Sequence, residues 1–101
     1  MNQVWQKKNF KIYHADDGYI LHNSDMEGFS HSHIKNFKTA VFIAELSIHK
    51  RLPHDLCKYL LVSLIRVNDD EEYCNKIQEL LDAKKDKGKK YYFNSQKGVR
   101  R

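Results

Sequence analysis

The hydrophobic pattern of this chain changes period once, near Ile34, which restricts it to a strand-forming first third followed by helices. Upstream of that point Phe10, Ile12 and His14 alternate with Lys11 and Tyr13, the two-residue repeat of a half-buried strand. Asp17-Gly18 follows and suits a tight turn, because glycine tolerates a positive φ. Tyr19, Ile20, Leu21 and His22 then return as a second strand, which Asn23, Ser24 and Asp25 close before Gly28 permits another turn. These residues predict an N-terminal β-hairpin.

Downstream, Ile34, Phe37, Val41, Ala44 and Ile48 recur at helical spacing, and Phe42, Ile43 and Leu46 widen the stripe. Pro53 ends this first helix, since it has no N–H and disfavours a helical residue before it, and it suits the first turn of the next. Leu56, Tyr59, Leu60, Ser63, Leu64 and Val67 make a second buried stripe, so a tight link through Lys50, Arg51 and Leu52 predicts an antiparallel helical hairpin. Asn68 or Asp69 can cap a third helix, and the acids from Asp69 to Glu72 favour its positive end. Tyr73, Ile77, Leu80 and Leu81 supply its inner face, and Gly88 offers a stop. The expected class is α+β: the hairpin, helices over about 34–50, 53–67 and 69–87, and a closing strand over Tyr91, Tyr92 and Phe93.

With 101 residues the chain is expected to be one domain, compact over 1–88, with 89–101 a basic strand and tail of the same unit. Hydrophobic residues at 41% and charged residues at 31% fit a folded domain rather than a disordered one. Ala40 to Ile48 and Tyr59 to Val67 fall far short of the ~20 apolar residues a bilayer span requires. Residues 1–8 lack the apolar core of a signal peptide. Cys57 and Cys74 lie too far apart for a ligand pair and read as small apolar side chains on helices. A cytoplasmic location is the expectation that follows.

Charge is distributed unevenly. From Lys84 onward Lys84, Lys85, Lys87, Lys89, Lys90, Lys97, Arg100 and Arg101 face one acid, Asp86, giving +7 of a total of +5, so the remainder sums to −2. The end of the chain also interleaves Tyr91, Tyr92 and Phe93 with these cations. Lysine and arginine neutralise phosphates and aromatic rings stack on unpaired bases, so the expected function is a small non-enzymatic nucleic-acid-binding accessory protein. Its site would comprise Lys84, Lys85, Lys87, Lys89, Lys90, Tyr91, Tyr92, Lys97, Arg100 and Arg101, with RNA or DNA as partner, no membrane and no cofactor.

Two other classes compete. The same basic end could enter an acidic or nucleic-acid-binding groove of a protein, as in a phage or mobile-element inhibitor or adaptor that blocks a host nuclease complex. Alternatively, His31 and His33 form a His-x-His whose rings point one way on an extended segment, as metal ligands or an acid/base pair must. Asp16, Asp17 and Asp25 could complete that sphere, which would make a small histidine- or metal-dependent nuclease. Their plainer role is as polar loop residues. The four glycines are scattered singly, so no phosphate-binding loop is present, and no Gly-x-Ser-x-Gly elbow occurs.

Helix-turn-helix readings fare worse. Taking the helix from about Glu71 as the recognition helix sets Asp69, Asp70, Glu71 and Glu72 against phosphates, which excludes it. Pairing Ala40–Lys50 with Pro53–Val67 places Lys50, Arg51, His54 and Lys58 near the groove, and Phe42-Ile43-Ala44-Glu45-Leu46 is similar to the first helix of many such motifs. That pairing lacks the turn glycine and offers few base-reading side chains.

Overall fold

The structure, a computed structural model, describes residues 2–26 and 31–92, the segment 85–92 by its backbone alone. Four strands, β1 (Asn2–Lys7), β2 (Phe10–Ala15), β3 (Gly18–Asn23) and β4 (His31–Ile34), precede helices α1 (Phe37–His49), α2 (Lys58–Arg66) and α3 (Glu71–Tyr92). The strands form one antiparallel sheet in the order β1-β2-β3-β4. The class is α+β, as the change of period implies. The expected hairpin is β2–β3, and the sheet extends it by one strand on each side.

Strand pleating sends alternate side chains to opposite faces. On the inner face Ile12 lies opposite both Trp5 and Leu21, and Leu21 lies opposite Ser32. Phe10, Ile12, Leu21, Ser32 and Ile34 are buried there beneath the helices. Ala40 and Ala44, both fully buried, let α1 approach the strands closely, with Ile43 between them in the core. Leu61 and Leu64 of α2 and Tyr73, Ile77 and Leu81 of α3 complete the interior.

Several boundaries differ from the sequence reading. Ile34 ends β4 instead of opening a helix, because Asn36 caps α1 by accepting from the Thr39 amide at 3.1 Å. Residues 51–57, Pro53 among them, form an irregular connection, and α2 begins only at Lys58. α2 therefore packs most extensively on α3, and the expected α1–α2 hairpin is not the main helix pair. Asp70 rather than Asn68 or Asp69 caps α3, accepting from the Tyr73 amide at 3.0 Å. Gly88 does not stop α3, which continues to Tyr92; a mid-helix glycine costs only about 1 kcal/mol. Of the expected closing strand, Tyr91 and Tyr92 are helical and Phe93 lies outside the described residues.

Three described positions have a positive φ: Lys8 at 55° in the β1–β2 turn, Gly18 and Lys50. Asp16 and Asp17 form the β2–β3 turn between the paired Ala15 and Gly18. Gly18 sits at φ 145°, and a Cβ there would stand 3.0 Å from the Ile34 carbonyl oxygen. Lys50 adopts a left-handed φ of 53° at the end of α1, where its own amide and that of Arg51 bond back to Ser47 and Leu46.

Buried polar groups tie the layers together. Asn23 of β3 donates to the Val67 carbonyl at 2.8 Å, and Asn68 donates to Ser47 Oγ and the Leu64 carbonyl. Ser32 of β4 donates to Ser63 Oγ of α2 at 2.6 Å, and Ser63 in turn donates to the Tyr59 carbonyl. Ser63→Ala strands the Ser32 hydroxyl, so it should cost about 1–3 kcal/mol in urea unfolding. The double variant Ser32→Ala/Ser63→Ala removes both partners and should recover most of that loss. Strictly additive destabilisation in the double-mutant cycle would show that the hydroxyl pair is not coupled.

Candidate nucleic-acid interface

The basic end begins on α3, whose anchoring lies in its first turns. Tyr73 is buried and its phenol donates to the Arg51 carbonyl at 2.7 Å and the Leu46 carbonyl at 3.4 Å. The Lys50 ammonium sits 5.5 Å from the centre of the same ring and also donates to Asn68 Oδ1 at 3.1 Å. Burial, with a smaller contribution from the neighbouring Cys74, pushes the Tyr73 phenol up to about 12. Cys74 itself is half-buried with its thiol pushed up by burial, and Cys57 is exposed at the start of α2.

Lys84 is half-buried beside the 51–57 connection, with its ammonium 4.0 Å from Asp55 in an ion pair that is largely solvated on the Asp55 side. The two border an open cleft of about 250 Å³ with Pro53, Leu56, Leu61 and Leu80. Lys85, Lys87, Lys89, Lys90, Tyr91 and Tyr92 continue on the α3 backbone. Lys97, Arg100 and Arg101 fall outside the described residues. A helix of 22 residues is about 33 Å long, so the Asp69–Glu72 acids at its start and the cations at its end are well separated.

His31 and His33 both lie on the outer face of β4, as expected for an extended segment, and their ring centroids are 5.1 Å apart in an edge-on arrangement. His22 is directly opposite His31 on the neighbouring strand. Among the described residues no three His, Cys, Asp or Glu side chains are grouped so as to hold a metal ion. Asp16, Asp17 and Asp25, proposed as further ligands, therefore do not join the histidines.

The outer sheet face contains residues that the sequence reading did not place in a site. Lys11 lies opposite His22, and Tyr13 lies opposite Ile20, which lies opposite His33. None of these side chains is buried, because the helices pack on the other face. The alternation of Lys11 and Tyr13 with Phe10 and Ile12 carried the signal for two of them; Ile20 and His22 lie on β3, beside the β4 histidines.

Comparison with protein-family models, with curated proteins and with solved structures finds no match for this chain. No helix of the described residues is long and apolar enough to cross a membrane.

The raised Tyr73 value fixes the sign of one pH dependence. Below the ordinary value of 10 both folded and unfolded chains keep the proton, and the contribution of the phenol is fully present. Between 10 and about 12 the unfolded chain releases it first, so stability falls as pH rises. Tyr73→Phe should therefore flatten stability across this alkaline window, while costing about 1 kcal/mol at neutral pH from lost hydrogen bonds. Parallel urea titrations of the two chains at pH 9 and pH 11 check this.

Proposed function

We propose that this chain is a small nucleic-acid-binding accessory protein without catalytic activity of its own. The observation that carries the reading is the segregation of charge: +7 from Lys84 onward against −2 in the rest. The α3 helix supports it, because Glu71 and Glu72 serve its first turn and, past Glu79 and Asp82, the stretch from Lys84 to Lys90 holds five lysines and one acid, Asp86. Phosphates are the partner such a segment attracts, and released counterions make the attraction strongly salt-dependent. Lys84, Lys85, Lys87, Lys89, Lys90, Lys97, Arg100 and Arg101 would supply the charge, and Tyr91 and Tyr92 the stacking surface. The inhibitor or adaptor reading draws on the same charge, and no feature of the fold favours it separately. A cytoplasmic setting fits this role.

Fluorescence anisotropy with a labelled oligonucleotide at several salt concentrations tests the proposal. Removal of residues 89–101 takes away Lys89, Lys90, Lys97, Arg100 and Arg101. If all five touch phosphates of a single strand, the log–log salt slope should become shallower by about 3.5. Affinity at low salt should fall with it. Unchanged binding by the shortened chain, or no binding by the full chain, would reject the proposal.

A further inference from the structure

We infer that the outer face of the sheet is a platform for unpaired bases, so that the preferred ligand is single-stranded rather than duplex nucleic acid. The inference rests on the nucleic-acid reading above and adds a surface to it. Its ground is the composition that the register assembles: Lys11, Tyr13, Ile20, His22, His31 and His33 lie side by side on adjoining strands. No residue in any of the four strands is acidic. The nearest described carboxylates, Asp16 and Asp17 in the β2–β3 turn and Asp25 just beyond β3, stand at the margins. Among the described residues this face carries a lysine and no carboxylate, which suits a polyanion.

The same face carries rings. Tyr13 and His33 present π surfaces on which bases of any sequence can stack, with Ile20 as an apolar floor between them. Geometry selects the strandedness. Four strands at ~4.8 Å spacing span about 14 Å between the outer strand axes, before side chains are added. The major groove is about 12 Å wide and admits a helix or a two-stranded ribbon, so this sheet cannot read base edges within a duplex. Bases that are already unpaired can lie flat on it. Lys11 then meets a phosphate while Tyr13 stacks.

The experiment uses the full chain with a short labelled single-stranded RNA of mixed sequence and with the matching duplex. The expected result is at least tenfold tighter binding of the single strand. Tyr13→Ala should weaken single-strand binding roughly tenfold or more, whereas Tyr13→Phe, which keeps the ring, should bind nearly as the parent. Lys11→Gln should make the salt slope shallower by about 0.7. Equal affinity for duplex and single strand would overturn the platform, and so would unchanged single-strand binding in both Tyr13→Ala and Lys11→Gln. In either case the nucleic-acid reading stands if removal of residues 89–101 still abolishes binding. A full chain that binds neither form removes both. Should Tyr13→Ala lose its cooperative unfolding, photocrosslinking of the unmodified chain to a thiouridine-containing strand decides instead. Adducts on β2, β3 or β4 uphold the platform, and adducts confined beyond Lys84 overturn it.

Discussion

The pleat of the sheet, combined with helices packed on one side only, governs the rest of this molecule. Alternate side chains of β2, β3 and β4 lie on the helix-covered face, where Phe10, Ile12, Leu21, Ser32 and Ile34 are buried, and the others face solvent. Ile12 and Leu21 are fully buried because α1 sits over them, while their neighbours Lys11, Tyr13, Ile20 and His22 remain outside. A one-residue slip in register would invert this arrangement, placing lysine and histidine in the interior. The penalty for that inversion holds the register, and the register in turn assembles the outer face.

Polar contacts give this apolar contact its orientation. Hydrophobic burial is non-directional, so it does not by itself decide how a helix lies across strands. Here Ser32 meets Ser63 and Asn23 meets the Val67 carbonyl, which fixes the C-terminal half of α2 against β3 and β4. Asn68 links the end of α2 to Ser47 of α1, and Tyr73 reaches back to the Leu46 and Arg51 carbonyls. Lys7 of β1 reaches Glu45 of α1 at 3.0 Å, and this partner, with a smaller effect from His49, holds the exposed carboxyl below its usual range. Such exposed pairs contribute little to stability; the buried hydrogen bonds matter more, since leaving one unmade is expensive.

Legibility in the sequence followed the strength of the local signal. Phe10, Ile12 and Leu21 repeat with period two over a buried surface, and Tyr73, Ile77 and Leu81 repeat with helical period, so both were readable. β1 was not, because an edge strand whose only half-buried residue is Trp5 has no alternation to display. β4 was obscured by its length, and Ile34 matched the helical stripe of Phe37 and Val41 although its backbone belongs to the sheet. Asn68 illustrates a different failure: its side chain serves as a buried crosslink, a tertiary role invisible to cap statistics, and Asp70 takes the cap. Of the candidate site, the sequence revealed the basic end and the shared direction of His31 and His33. The cross-strand neighbours of those histidines became visible only through register.

The distribution of acids joins these observations. The described carboxylates lie in turns, in connections and on helices, and the strands contain none. Helices use acids locally, as Asp70 shows at the start of α3, and lysines compensate them one turn on, as Lys76 does for Glu72 at 3.7 Å. Acids are also poor strand formers, whereas tyrosine and isoleucine are good ones, so strand propensity contributes to this segregation. Among the described residues Lys11 accordingly faces Gln6 and His22 across the strands, with no carboxylate opposite it.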